Sequence, residues 1–142
     1  TVAGKKIPEL MIMEYLDGDE LKIDPVTNNG NVLVCSVKLR MNFASGLGMN
    51  YEFVKDDSAI EYAKKVMKYL PMDYCVDIST RGGVLMEINP RVSTYIYSDD
   101  YCPPYLSLKL AMGEMDENEI KKYQNNIPIG KRLFRYYGQI DY

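Results

Sequence analysis

Histidine is absent from the 142 residues. With it go the commonest general base, the Ser-His-Asp type of nucleophile and the commonest metal ligand. Cysteine is scarce: Cys35, Cys75 and Cys102 are odd in number and lack the close spacing of a zinc site. They are expected as reduced, buried thiols of a cytoplasmic protein. A basic excess is missing as well. Seventeen Lys+Arg against 20 Asp+Glu leave a net charge of −3 and a pI near 5.0, which argues against a general nucleic-acid footprint. No apolar run approaches the roughly 20 residues of a membrane span. There is no signal-peptide pattern, internal repeat or low-complexity tract. Any chemistry must run on carboxylates, arginine, lysine and backbone dipoles.

What is present reads as one globular domain, with 46% hydrophobic and 26% charged residues. Strands are expected at about 10–16 and 20–26, with Asn28-Asn29-Gly30-Asn31 as a hairpin turn into a third strand ending near Arg40. Pro25, lacking an N–H, suggests an edge or a bulge in the second of these. Residues 42–48 are small and glycine-containing and read as a loop. Asp56-Asp57-Ser58 caps a helix carrying Ile60, Ala63, Met67 and Leu70 at helical spacing, with Lys64, Lys65 and Lys68 on its solvated face. Tyr95, Tyr97 and Tyr101 fall in an irregular aromatic segment expected to wall a cleft or pack on the sheet. Pro103-Pro104 starts a helix through Met112 that stops at Gly113, with Leu106, Leu108, Leu110 and Met112 expected inside. A short amphipathic helix over 116–124 and a final strand or hairpin over 127–142, with Arg132, Arg135, Tyr136 and Tyr137, complete the chain. That last mixture suits a subunit contact or an ordinary terminal strand.

The chemistry concentrates in a hairpin. Residues two apart on a strand share a face, so Glu87 and Asn89 project together, away from Met86 and Ile88. In 74–79, Cys75, Asp77 and Ser79 similarly oppose Val76 and Ile78. A three-residue loop, Arg81-Gly82-Gly83, would pair Thr80 with Val84 and Asp77 with Glu87. That choice matches Val76 to Ile88 and Ile78 to Met86, whereas a two-residue turn would scatter the apolar residues over both faces. Two carboxylates placed directly across a sheet repel, so a positive group is expected between them. Two carboxylates and an amide suit a hard cation such as Mg²⁺ that keeps waters and shares phosphate oxygens. Arg91, just beyond the strand, is placed to hold a phosphoryl oxygen. The alternative is a surface hairpin whose acids are simply hydrated.

Met-Glu-Ile-Asn-Pro-Arg-Val-Ser-Thr (86–94) resembles the metal-binding strand of the ATP-grasp superfamily, close to its carbamoyl-phosphate-synthase-like branch. Met-Ile-Met-Glu-Tyr-Leu-Asp-Gly-Asp-Glu-Leu-Lys-Ile-Asp (11–24) resembles that family's nucleotide hinge and following strand. Both occur in the family's order, and the likeness runs from about Glu9 to Glu114. It implies an α+β fold, the C-terminal subdomain of the ATP-grasp domain, with helices packed on one face of an antiparallel sheet. It also implies ATP and Mg²⁺ (or Mn²⁺) as cofactors. Glu14, Tyr15 and Leu16 would meet the adenine edge, and Glu20 the ribose hydroxyls. Asp77, Glu87 and Asn89 would be the metal ligands, with Arg91 on the transferred phosphoryl group and Arg40 a second basic residue near substrate or phosphate.

The implied activity is ATP-dependent ligation of a small carboxylate to an amine through an acyl phosphate. The alternatives are a regulatory nucleotide-binding module or a phosphotransferase acting on a hydroxyl. The chain departs from the family pattern in four places. Thr94 stands where the synthase branch often has a second arginine, and Asp77 stands for a longer acid or amide. Pro25 interrupts a usually aliphatic strand. The glycine-rich phosphate loop and lysines of the first ATP-grasp subdomain are absent. Since residue 1 is a threonine, residues 1–142 are expected to be the C-terminal half of an ATP-grasp domain, partnered by the missing N-terminal half, with a homo-oligomer left open, and without nucleic acid or membrane.

Overall fold

A computed structural model describes residues 9–44, 47–93 and 98–134. Thr94, Tyr95, Tyr97, Arg135, Tyr136 and Tyr137 lie outside them. In chain order the elements are β1 (Glu20–Asn28), β2 (Asn31–Ala44), β3 (Leu47–Val54), α1 (Asp57–Tyr69), β4 (Tyr74–Cys75), β5 (Asp77–Arg81), β6 (Val84–Asn89), α2 (Pro103–Ala111), α3 (Glu117–Lys122), a 3₁₀ turn (Tyr123–Asn126) and β7 (Arg132–Phe134). The strands form one sheet of order β6-β5-β1-β2-β3-β7, with β4 also paired to β1. Every pairing is antiparallel. The class is α+β, as expected from the sequence. Among the described residues no helix is long and apolar enough to cross a membrane.

Alternation along β1 and β2 sorts the side chains. Ile23, Val37, Val76 and Ile78 face α1, whose Ala59, Ala63 and Met67 close a first core cluster. Val26, Val34, Phe53 and Cys75 point the other way and meet Tyr101, Leu106 of α2 and Ile120 of α3. Burial of each large apolar side chain contributes about 1.5–3 kcal/mol, so both faces are anchored. The helices therefore divide between the two faces rather than sharing one. α1 covers one face, while α2 and α3 cover only the Val26 end of the other. The remaining end of that second face carries the polar residues described below.

Local chemistry explains the elements. Asn29 (φ 48°) and Gly30 (φ 75°) make the two-residue turn that joins β1 to β2 with Asn28 opposite Asn31. The Asp56 carboxylate accepts from the Ala59 N–H and caps α1. Asp116 and Glu119 form a capping box on α3. Gln124 substitutes for a strand where β3 ends. Its Oε1 accepts from Cys35 N at 2.9 Å and its Nε2 donates to Cys35 O at 3.2 Å.

Several expectations need correction. Residues 10–16 are not a strand. They have no ladder partner among the described residues, and Leu10, Met11, Ile12, Met13 and Tyr15 are exposed. The loop expected at 42–48 is largely strand. β2 runs to Ala44 and β3 starts at Leu47, with irregular register around Asn42 absorbing the small residues. Pro25 is not at an edge; the strand does carry a bulge, one residue on, between Val26 and Thr27. Pro25 sits in a central strand at the break between β4 and β5, where its carbonyl still accepts from Val76 N at 3.1 Å and its missing N–H costs no ladder bond. Of the four apolar residues expected inside α2 only Leu106 is fully buried, and Leu108 and Met112 are exposed. Residues two apart lie on nearly opposite sides of a helix. Leu70 caps α1 from an exposed position, while Tyr101 packs in the core at 1% exposure.

Candidate active site

Beyond Val26 the even positions of β1, namely Glu20, Lys22 and Asp24, stand on the uncovered end of the second face. Cross-strand pairing brings Arg40 opposite Glu20, Lys38 opposite Lys22 and Ser36 opposite Asp24 on one side. On the other side Arg81 lies opposite Glu20 and Ser79 opposite Lys22. The edge strand β6 adds Glu87 opposite Ser79 and Asn89 opposite Asp77. One polar surface thus draws on four adjacent strands.

The hairpin register differs from the sequence reading. The turn has two residues, Gly82 and Gly83, both with positive φ (54° and 80°), and pairs Arg81 with Val84. A bulge then shifts the register between Ser79 and Thr80, so that Ile78 opposes Ile88 and Asp77 opposes Asn89 rather than Glu87. The turn and the bulge each displace the pairing by one residue. Together they move it by two, and period-two geometry keeps Asp77, Glu87 and Asn89 on one face. Glycine is required at 82 because its backbone crowds the preceding chain: a Cβ there would collide with the Asp17 carbonyl oxygen. Gly82 N also donates to Asp19 O at 3.0 Å.

Asp77 and Glu87 are diagonal neighbours, and a cation sits between them. Lys22 Nζ lies 3.0 Å from Glu87 Oε1 and 3.4 Å from Asp77 Oδ1, and it donates to Ser79 Oγ. Ser79 Oγ in turn donates to Glu87 Oε1 at 3.1 Å. Arg91 Nη1 donates to Asp77 Oδ2 at 3.3 Å and to Val92 O at 3.0 Å, and Asn89 Nδ2 reaches Asp77 Oδ2 at 3.5 Å. Asp77 is buried, whereas the Glu87 side chain is 53% exposed. Burial pushes the Lys22 ammonium down, but Asp77 and Glu87 outweigh it and hold it above the ordinary lysine range. The hydrogen bond from Lys22 holds the Glu87 carboxyl below its ordinary value, with lesser help from Ser79 and Asn89.

These groups fit a divalent cation by their chemistry. Asp77 Oδ1 is buried and lies 3.4 Å from the Lys22 ammonium, with no closer hydrogen-bond partner among the described residues. Among the described residues no three His, Cys, Asp or Glu side chains converge. Two carboxylates and an amide oxygen would leave coordination positions for water and phosphate in the manner of Mg²⁺.

Glu20 is buried, with Arg40 Nη1 2.5 Å from Oε1 and Arg81 Nη2 3.1 Å from Oε2. Both arginines are thus held on the polar face by a single acid. Asp24 pairs with Lys38 at 2.9 Å, both side chains buried, and burial raises the Asp24 carboxyl above its ordinary range despite Lys38. Glu14 and Tyr15 are exposed and Leu16 is half-buried, in the unpaired segment before β1. The structure does not bring these three into the cluster around Lys22.

Sequence reasoning missed Lys22, Asp24, Ser79, Lys38 and Arg81. The signal was the polar half of two alternations, Glu20-Lys22-Asp24 against Leu21-Ile23, and Ser36-Lys38-Arg40 against Val37-Leu39. A shallow concavity of about 750 Å³ at the Asn29-Gly30 end of the sheet is lined by Lys64, Lys68 and Lys121 and contains none of these residues.

The antiparallel α+β fold, with acids and an amide on adjacent strands and an arginine after them, accords with the ATP-grasp superfamily, to which the chain belongs. More particularly, the family described as ATP-grasp in the biosynthetic pathway with Ter operon matches residues 6–130, and the chain belongs to that family. No functionally curated protein matches it. Membership indicates an ATP-dependent, ligase-type function; the match does not extend to the carbamoyl-phosphate-synthase-like branch that the motif at 86–94 resembles.

Proposed function

We propose that the chain is the Mg-ATP-binding half of a carboxylate–amine ligase that works through an acyl phosphate. The observation that carries this reading is the convergence of Asp77 and Glu87 on one cationic position beside Arg91. Asp77, Glu87 and Asn89 would hold Mg²⁺, which when bound supplies charge neutralisation to the phosphates. Arg91, half-exposed and weakly tied to Asp77, turns its remaining N–H groups to the γ-phosphoryl oxygens and stabilises charge as the phosphoryl group moves. Glu20 keeps Arg40 and Arg81 directed over the face, where they orient the anionic substrate, and its own carboxylate edge borders the ribose hydroxyls.

In the reaction a substrate carboxylate oxygen bonds to the γ-phosphorus, the bond to the bridging oxygen breaks, and ADP leaves. An amine then displaces phosphate from the acyl phosphate and loses a proton. No protein nucleophile is needed, which suits a chain without histidine. The unpaired apolar segment Leu10–Tyr15 supports a further element of the reading. It meets an N-terminal ATP-grasp half, and Glu14, Tyr15 and Leu16 then border the adenine. A cytoplasmic location follows from the demand for ATP and is supported by free thiols at Cys35, Cys75 and Cys102.

Calorimetry of ATP binding to the intact protein, with and without Mg²⁺, tests the assignment. Magnesium-dependent binding is expected, and Glu87→Gln removes it while leaving the far-UV circular dichroism unchanged. Unaltered magnesium-dependent binding by Glu87→Gln would refute the metal assignment.

A further inference from the structure

Lys22 has no role in the reaction just described, yet its ammonium occupies the centre of the acidic cluster. Its side chain is 11% exposed and touches both Asp77 and Glu87 as well as Ser79. Arg91 takes the second oxygen of Asp77. The two carboxylates are therefore already matched by two cations. A bare divalent ion arriving here must displace Lys22 or sit beside it, and either event is opposed electrostatically. A divalent ion arriving with a polyphosphate brings several negative charges, which give Lys22 and Arg91 new partners as the carboxylates turn to the metal.

We infer that Lys22 is a built-in counter-ion that makes the metal site conditional on phosphate. Without a nucleotide it fills the cation position and holds Asp77 and Glu87 together across β5 and β6. With a nucleotide it moves onto phosphate oxygens and releases the carboxylates. Its position on β1 opposite Ser79, one strand in from the edge hairpin, allows this exchange without any change of backbone register. The inference rests on the metal assignment made above and adds an order of events to it: free metal is excluded and metal–nucleotide is admitted. It also accounts for a buried lysine at a point where a merely structural strand could carry an apolar residue.

The test is Mn²⁺ binding followed by the electron paramagnetic resonance signal of the free ion, on the intact protein, with and without ADP. The unsubstituted protein should bind Mn²⁺ weakly alone and much more tightly with ADP. Lys22→Met should bind Mn²⁺ alone at least about tenfold more tightly, the order expected for removing a unit charge about 4 Å away in an effective dielectric of ~20–80. Its gain on adding ADP should shrink correspondingly. Lys22→Arg, which keeps the charge, should bind free Mn²⁺ as weakly as the unsubstituted protein. Lys22→Gln, which keeps a hydrogen-bond donor to Ser79 or Glu87, serves if the methionine variant fails to fold. Unchanged or weaker Mn²⁺ binding in the folded neutral variant, while ADP still tightens it, would overturn the counter-ion role alone. Absence of Mn²⁺ binding in every protein with and without ADP would overturn the metal assignment and the counter-ion role with it.

Discussion

Removing Lys38 should expose how much of this fold is held by charge. Lys38 is fully buried, and its ammonium lies 2.9 Å from Asp24 Oδ2, whose side chain is only 4% exposed. The Lys38 ammonium is the main group offsetting the burial of Asp24, with a smaller contribution from the Ser93 hydroxyl. Breaking a buried pair from one side leaves an uncompensated charge and costs about 3–5 kcal/mol. Against a total stability of roughly 5–15 kcal/mol that is a large loss. The sign of its pH dependence is fixed. Burial raises the folded-state Asp24 carboxyl above its ordinary 3.8 despite Lys38, so between that value and the folded one the native state binds more protons than the unfolded state. Stability through this group therefore falls as pH rises. Lys38→Met removes the main influence lowering the Asp24 value, which widens that window upward. The variant should be destabilised more at pH 8 than at pH 5, as measured by urea denaturation at both. Asp24→Asn combined with Lys38→Met should recover about 1–3 kcal/mol of the loss at pH 8 by removing the stranded charge. The reasoning fails if single and double variants unfold alike, or if the loss in Lys38→Met does not change with pH.

The other predictions test the scaffold and the site. Asp56→Ala should cost about 1 kcal/mol at pH 7 in thermal unfolding, by uncapping α1. The Ser58 hydroxyl, then the Ala59 N–H, hold the Asp56 carboxyl below its ordinary 3.8. Its contribution is therefore present above that value and fades as pH falls through the folded one, so the cost should vanish in acid. Gln124→Ala removes the amide that closes the free edge of Cys35 and should cost about 1–3 kcal/mol, with amide exchange at Cys35 accelerated relative to Val37. The two site predictions are the loss of magnesium-dependent ATP binding in Glu87→Gln and the tighter binding of free Mn²⁺ in Lys22→Met.

Much of the fold was legible because its signals are local. The Asn29-Gly30 turn, the Asp56 cap, the stop of α2 before Gly113 and the class of the sheet all follow from short-range chemistry. What was misread depends on partners far along the chain. Residues 10–16 have strand-like composition but no neighbour to pair with. Leu106, Leu108, Leu110 and Met112 were read with the period of a strand inside a helix. The bulge in the β5–β6 hairpin compensates a turn one residue shorter than expected, a pair of changes that alternation of Val76 and Ile78 against Met86 and Ile88 cannot distinguish from a longer loop. The acids and amide were placed on the right face regardless, since a two-residue displacement preserves the side of the sheet. Lys22 was overlooked because a lysine in a strand reads as solvated. Only the tertiary arrangement puts its ammonium against Asp77 and Glu87.

The charges on the polar face also bear on what can bind there. Four carboxylates, those of Glu20, Asp24, Asp77 and Glu87, meet five cations, those of Lys22, Lys38, Arg40, Arg81 and Arg91, and each cation is paired with one of the acids. The named groups thus carry a surplus of one positive charge on a protein whose net charge is −3. A ligand of several negative charges is attracted to such a surface, and a cation alone is not. Burial divides the pairs further. Lys38–Asp24 is sealed within the fold, whereas Arg91 and Glu87 are half-exposed at the sheet's edge and able to change partners. The interior pair fixes the scaffold, and the edge pairs supply groups that can exchange an internal counter-charge for a phosphate or a metal ion. That gradient, from a fixed pair on the central strands to exchangeable ones at the edge hairpin, makes the order of binding measurable. Nucleotide should raise Mn²⁺ affinity and Mn²⁺ should raise nucleotide affinity, by one common factor as linkage requires, and a factor of one would mean that the edge pairs do not couple the two ligands.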